Sequence, residues 1–488
     1  MKKASLLIIE NNARKTRVMP LTKGYYRIGR SGHLQNTSDI ALDSDIVSRE
    51  HGEIYFQAPH WVYRDLKSSN GTFVDGRHLY GDSSEMVLSD GSFIRIDGDR
   101  DFTKCFSEKG VLMVFCEGDY KNQKWLNYPL DAKLKDYVHI GRDISSDIVL
   151  NEPSVSGRHG IFFRKGDRLF YRDVHSSPDT TLNGEVLAGE REIIDKDVLM
   201  IGTVKMIYTN GMLFYTDKVS GTHLSVRHLT KTVKDSENKL HKKTILNDVS
   251  VDIASSELVA ILGTSGAGKS TFVNSVIGYE QATSGEVLIG GVNLYSNKKS
   301  VRKQIGYVPQ FDLLRGNLSV ESTLRYIAKL RLPKDTTKAE REKRIDDCLT
   351  MLDIDPALKK SHIRKLSGGQ RKRVSIAAEL IPGPPLVFLD EPTSGLDPET
   401  EMHFVKMLSS LSHRQGKTLI VITHTLKNIN YFDQIMFLGP GGKLCYYGSP
   451  HDVLETFGVD DIIDIYEPIR ENVDYYASKY KKQMEYDG

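Results

Sequence analysis

The stretch Gly263-Thr264-Ser265-Gly266-Ala267-Gly268-Lys269-Ser270-Thr271 combines residue types and spacing suited to holding a polyphosphate. Glycines without side chains let consecutive backbone N–H groups converge on phosphate oxygens, and the positive end of a following helix adds to that attraction. Lys269 would reach the β- and γ-phosphates, and Ser270 would offer its hydroxyl to Mg²⁺. The chemistry requires an element on each side. An apolar strand, Leu258 to Leu262, leads in, and a helical pattern through Phe272, Val273, Asn274 and Val276 leads out until Gly278 stops it.

The composition limits what surrounds this loop. A chain of 488 residues exceeds a single core and predicts about three domains. Lys plus Arg number 66 against 64 Asp plus Glu, a balance unlike that of a general nucleic-acid binder, so no nucleic-acid partner is expected. The longest apolar runs, such as Val111 to Cys116 and Leu419 to Ile422, fall far short of the ~20 residues of a membrane-spanning helix. The N-terminal Leu6-Leu7-Ile8-Ile9 is too short for a secretory signal, which predicts a cytosolic chain. Cys105, Cys116, Cys348 and Cys445 lack metal-ligand spacing and read as reduced, buried thiols.

The first two hundred residues contain an internal repeat. Tyr26-Arg27-Ile28-Gly29-Arg30 returns as Val138-His139-Ile140-Gly141-Arg142, Asp39-Ile40-Ala41-Leu42 as Asp147-Ile148-Val149-Leu150, and Val47-Ser48-Arg49-Glu50-His51-Gly52 as Val155-Ser156-Gly157-Arg158-His159-Gly160. Short alternating strands separated by Ser, Asn, Asp and Gly turns predict an antiparallel β-sandwich made twice. The repeat resembles the forkhead-associated (FHA) domain, a reader of phosphothreonine peptides, over residues 1–106 and 107–215. The resemblance implies that Arg30 and Ser48, with Arg49 beside them, hold the phosphate and that Ser69 and Asn70 grip the peptide. Gly29, His51 and Gly71 hold the shape. A guanidinium offers phosphate a charge-assisted fork. The second copy keeps Arg142 and Ser156 but has Pro178 and Asp179 where the first has Asn70 and Gly71, so the expectation there is a sandwich without the peptide grip. Residues 216–223 read as a linker with candidate phosphothreonines.

From Leu224 onward, strands alternate with helices, which predicts an α/β domain with a mostly parallel sheet. Tyr307-Val308-Pro309 ends in Gln310, Leu366-Ser367-Gly368-Gly369-Gln370 precedes a helix, Leu386 to Leu389 ends in Asp390-Glu391, Ser394-Gly395-Leu396-Asp397 follows, and His424 stands after Thr418 to Thr423, read as the last such strand. In this order the set resembles an ATP-binding cassette (ABC) ATPase over 224–452, with a helical subdomain at about 311–382. The resemblance implies ATP and Mg²⁺ as cofactors. Asp390, Ser270 and Gln310 would hold the metal, Glu391 would act as general base on the attacking water, and His424 would touch the γ-phosphate. The turn Ser367 to Gln370, together with Asp397, would bind the nucleotide of an opposite cassette, so a dimer is required. Leu318-Ser319-Val320, Leu330-Arg331-Leu332-Pro333 and the run Arg371 to Ile376 are similar to the White-type, or G, exporters. Val233 stands where other cassettes stack an aromatic residue on adenine.

Residues 453–488 form a tail ending in a helix with Val473, Tyr476, Ala477, Tyr480 and Met484 along one side, read either as packing on the cassette or as a lead-in to membrane helices. The predicted whole is two all-β sandwiches followed by an α/β P-loop cassette: the ATPase of an exporter at the cytosolic face of the membrane. Its expected partners are a permease domain in cis or in trans, a phosphothreonine protein or its own phosphorylated linker, and a Ser/Thr kinase. The rival reading is a phosphopeptide-binding scaffold whose cassette is an ATP-controlled dimerisation switch.

Overall fold

The structure, a computed structural model, describes residues 4–10, 15–32, 38–57, 60–75, 77–80, 85–98, 109–117, 125–174, 180–183, 185–216, 221–234, 242–311, 313–424 and 427–486. Backbone contacts divide the chain into two compact units, residues 1–219 in the first and nearly all of 220–484 in the second.

The first unit holds two β-sandwiches of matching design, each a six-stranded sheet and a five-stranded sheet closed over one core. In the five-stranded sheet of the first, Tyr25–Arg30 runs parallel to Ile40–Leu42 and antiparallel to Gly52–Gln57. In the second, Tyr137–Gly141 does the same with Ile148–Val149 and Gly160–Lys165. Trp61, Tyr63, Ile28 and Phe115 fill the first core, and Phe162, Tyr171, Ile140 and Leu213 the second.

The repeated glycines have a steric cause. A Cβ on Gly29 would lie 1.9 Å from the Arg49 carbonyl oxygen, and one on Gly141 would lie 2.1 Å from that of Gly157. That close approach lets Arg30 N–H bond the Ser48 carbonyl at 3.0 Å and Arg142 N–H bond that of Ser156 at 3.0 Å. Gly52 and Gly160 make room in the same way for the hydroxyls of Tyr63 and Tyr171. Gly29→Ala is therefore expected to lower the stability of the first sandwich by about 2 kcal/mol or more, as overpacking against backbone does; urea unfolding of the variant beside wild type measures it, and an unchanged midpoint would refute the packing argument.

The strand Val111–Glu117 corrects the expected boundary at 106/107. It pairs antiparallel with both Ala4–Glu10 and Phe93–Ile96, so it completes the first sandwich, and the second begins with Trp125–Tyr128. It is continuously apolar because both faces are covered. Val111, Met113 and Phe115 point into the first core. Leu112, Val114 and Cys116 join Ile9, Phe93 and Ile207 of the second sandwich. At this junction the buried Lys196 donates to the Gly110 carbonyl at 2.8 Å, and Lys205 donates to that of Gly91 at 3.0 Å.

The second unit is built on a six-stranded sheet in the order Ile305–Val308, Leu386–Asp390, Thr418–Ile422, Leu258–Gly263, Gln434–Gly439 and Lys443–Gly448. The first five strands are parallel and the last is antiparallel. The strand at Thr418 is thus central rather than last; two further apolar runs close the sheet beyond the phosphate loop's own strand. A separate antiparallel layer pairs Leu224–Lys234 with Lys242–Ile253 and Ser284–Ile289. The helical part comprises Val320–Arg331, Lys338–Met351 and Gly368–Leu380, packed through Val320, Leu324, Ala328, Ile345, Cys348 and Leu349.

The tail forms Val453–Phe457, Tyr466–Glu471 and Val473–Tyr486. It packs on the cassette: Phe437 meets Tyr466 edge-on at 5.1 Å, Ile465 and Ile469 are buried, and Asp474 and Lys481 pair with Lys443 and Asp248. Among the described residues no helix is long and apolar enough to cross a membrane.

Candidate functional site

The phosphate loop has the backbone its residue types predict. Gly266 and Gly268 adopt φ of +77° and +91°, left-handed values that disfavour side chains, and a Cβ on Gly263 would lie 2.2 Å from the Leu438 carbonyl oxygen. The helix Lys269–Val276 starts directly on the loop, with Gly268 as its N-cap. Ser265, Gly266 and Ser270 are exposed at the rim and Thr264 and Thr271 half-buried, whereas Ala267 is buried. Lys269 is buried, only 7% exposed, and donates from Nζ to the carbonyls of Gly263 at 2.7 Å and Thr264 at 3.0 Å. Burial pulls its pKa down, and the carboxylates of Glu391 and Asp390 push it back up.

Two residues from separate strand ends converge on one carboxylate, that of Glu391. Gln310 Nε2 donates to Glu391 Oε2 at 2.7 Å, and His424 Nε2 lies 2.9 Å from Glu391 Oε1. Glu391 is held for this by an unusual backbone, φ +43°, while its N–H bonds the Ile422 carbonyl at 2.9 Å. A non-glycine residue in that region costs of order 1–3 kcal/mol and persists where surrounding structure enforces it, often at functional sites. Nothing in the residue type signals this strain.

Asp390, the last residue of its strand, carries a pKa raised by burial and by the adjacent Glu391, and the Tyr307 hydroxyl bonds its carboxyl. A bare charge on Asp390 is thus disfavoured, a cost that a nearby cation would offset. Among the described residues no group of three or more His, Cys, Asp or Glu forms a metal cage. Asp390, Ser270 and Gln310, the expected metal ligands, stand at the end of Leu386–Asp390, in the first turn of Lys269–Val276 and two residues past Ile305–Val308.

Ser367 to Gln370 form a reciprocal capping box at the start of Gly368–Leu380. Gln370 N–H bonds Ser367 Oγ at 3.2 Å, and Ser367 N–H bonds Gln370 Oε1 at 3.0 Å. Gln370 is thus engaged in shaping the turn. Gly368 and Gly369 face Leu396, 3.9 and 3.5 Å from where their Cβ atoms would be. Asp397 caps the helix Pro398–Gln415, accepting from Thr400 N–H at 3.0 Å and from its hydroxyl at 2.6 Å.

In the first sandwich Arg30, Ser48, Ser69 and Asn70 lie on neighbouring loops. Ser69 N–H bonds Ser48 Oγ at 3.0 Å, Asn70 Nδ2 donates to the Ile46 carbonyl at 2.8 Å, and Arg30 Nη1 to that of Asp45 at 3.3 Å. Arg49 is exposed beside them. His51 supports this loop from beneath: its Nδ1 accepts the Ser48 N–H at 3.0 Å and its Nε2 is 3.1 Å from Thr72 Oγ1. Burial lowers its pKa to about 4, against an opposing pull from Asp65. Unfolded His51 takes up a proton near its ordinary value of 6.5 and the folded one only near 4. Between those values the unfolded state binds more protons, so stability falls as pH drops from 6.5 to 4, by about 3 kcal/mol in total. Thermal melts across that window test this, and His51→Gln is expected to flatten the slope.

The second sandwich repeats the His159 Nε2 to Thr180 Oγ1 contact at 3.1 Å, yet its phosphate residues differ in exposure. Ser156 is only 4% exposed, and Arg142 Nε donates to the Val155 carbonyl at 3.1 Å. Pro178 and Asp179, on which the expected loss of the peptide grip rests, lie outside the described residues, as does Cys105.

Comparison with known proteins accounts for both units. The ABC transporter family model matches residues 246–394, and the FHA domain model matches 26–97 and 138–202. The chain carries an ABC transporter domain and two FHA domains. An ABC transporter ATP-binding/permease protein of Mycobacterium tuberculosis is 36% identical over 349 residues, covering 70% of this chain and 39% of that protein. ABC transporter G family member 25 of Arabidopsis thaliana is 35% identical over 237 residues, 47% of this chain and 35% of the relative. The chain therefore spans little more than a third of the length of these relatives. A dimeric bacterial ABC transporter cassette superposes with a TM-score of 0.42 at 29% identity, over 46% of this chain and 98% of that one.

Two residues lie inside the quoted motifs without a role assigned from sequence: Tyr307, which bonds Asp390, and Lys372. The signal for Lys372 is its phase, since it falls four and eight residues before Ile376 and Leu380 on the buried side of its helix.

Proposed function

We propose that this chain is the ATP-binding and hydrolysing part of a G-type exporter, working at the cytosolic face of a membrane with a permease domain in cis or in trans. The observation that carries the reading is the convergence of Gln310 and His424 on Glu391, next to the Asp390 carboxylate and the buried Lys269. Mg²⁺ bound there supplies a cation that neutralises developing phosphate charge. The chain's own residues do the rest. Lys269 leaves its loop carbonyls for the phosphates, the loop's N–H groups bind phosphate oxygens, and Glu391 Oε accepts the proton of the attacking water. Gln310 and His424 fix that carboxylate's orientation from either side.

The turn at Ser367 completes the site of a second cassette, so hydrolysis belongs to a dimer. The first FHA domain governs assembly by binding a phosphothreonine, on a partner protein or on the chain's own linker, supplied by a Ser/Thr kinase. The second FHA domain acts as a packed support, with Ser156 withdrawn and Arg142 engaged by backbone. Domain limits consistent with the strand pairing are 4–117 and 125–216 for the FHA domains and 224–452 for the cassette, with a helical part within 311–382.

The test is ATP turnover by the purified chain with and without Mg²⁺, alongside its mass by light scattering. Mg²⁺-dependent turnover with ATP-induced dimers supports the reading. Dimers without turnover would instead favour a scaffold switched by ATP.

A further inference from the structure

Lys372 occupies a costly position. It lies within the first two turns of Gly368–Leu380, near the positive end of that helix, and only 5% of it is exposed. A cation there is disfavoured by the helix dipole and by loss of water. Its ammonium donates to two successive carbonyls beside the nucleotide site, those of Pro309 at 2.8 Å and Gln310 at 3.1 Å.

Those contacts link two places that bind different nucleotides. The helix that carries Lys372 begins at the Ser367–Gln370 turn, which in the proposed dimer faces the partner's ATP. The Gln310 backbone that Lys372 holds carries the side chain that bonds Glu391 in the chain's own site at 2.7 Å. We propose that Lys372 is a positioning residue that transmits engagement of the Ser367–Gln370 turn, through the Pro309–Gln310 backbone, to the orientation of Glu391, so that occupancy of one site prepares hydrolysis in the other. Charge-assisted bonds to two successive carbonyls suit this role because they fix a loop against a helix without occupying any side chain that must reach water or metal. This inference rests on the ATPase reading above and adds the residue that positions Glu391 through the Gln310 backbone.

Lys372→Met removes the donor while keeping much of the apolar stem. In the full chain it is expected to lower kcat about tenfold with KM for ATP within about twofold, the pattern of an interaction realised after binding. The dependence of rate on ATP, cooperative in wild type, should become hyperbolic, and Lys372→Arg should restore part of both. In nucleotide-free protein, hydrogen exchange over 307–314 should rise while that of Leu386–Asp390 stays unchanged. If Lys372→Met does not fold, Lys372→Gln is measured in the same way. A hyperbolic wild-type curve, or wild-type kcat, cooperativity and exchange in the variant, would overturn the proposal. Absence of turnover in wild type would refute the ATPase reading instead, and exchange over 307–314 would still decide whether the clamp exists.

Discussion

Glu391→Gln is expected to reduce ATP turnover by about 10³-fold, within the usual range for removing a general base, while leaving ATP bound and the dimer trapped. Glu391 combines direct contact with both Gln310 and His424 and a charge that acts on Lys269. An amide of the same shape can still occupy that place but cannot take the proton of water. Because the substitution also removes a negative charge close to the γ-phosphate, ATP affinity should hold or rise. Phosphate release under single-turnover conditions measures the rate, and light scattering with ATP and Mg²⁺ measures the dimer. Retained wild-type turnover would remove Glu391 as the base.

The second large effect concerns the first FHA domain. Arg30→Ala is expected to weaken phosphothreonine-peptide binding by about 10- to 100-fold, corresponding to the ~1.5–3 kcal/mol of a hydrogen bond to a charged group. Its Nη1 donates to the Asp45 carbonyl at a long 3.3 Å, and a phosphate would offer the same guanidinium a charge-assisted bond. Arg142→Ala should leave affinity unchanged, since that guanidinium is directed to the Val155 carbonyl beside a buried Ser156. Calorimetry with matched phosphorylated and unphosphorylated peptides separates these cases. Unchanged affinity in Arg30→Ala would sink the assignment of the first domain, and a loss in Arg142→Ala would give the second domain a binding role.

Much of this was legible in the residues themselves. The loop glycines, the Ser367 capping box and the Asp397 N-cap act through bonds within a few residues, so local spacing announces them. The repeated Gly-Arg and His-Gly words announced two sandwiches because the same close backbone approach needs the same missing Cβ in each copy.

What local spacing could not carry was long-range closure. Val111–Glu117 looks like the opening of a second domain until its partners, more than a hundred residues earlier, claim it for the first. The strand at Gln434 lacks a motif, yet it flanks the phosphate-loop strand. The sequence by itself determined which side chains could bind phosphate, take a proton or hold a metal, because those capacities belong to residue types. Only the tertiary structure decided that Gln310 and His424 meet on Glu391, that Glu391 carries a left-handed backbone, and that Lys372 is buried against the Gln310 loop. Such placements depend on parallel strands bringing distant ends to one edge, where burial and neighbouring charge set what each group can do.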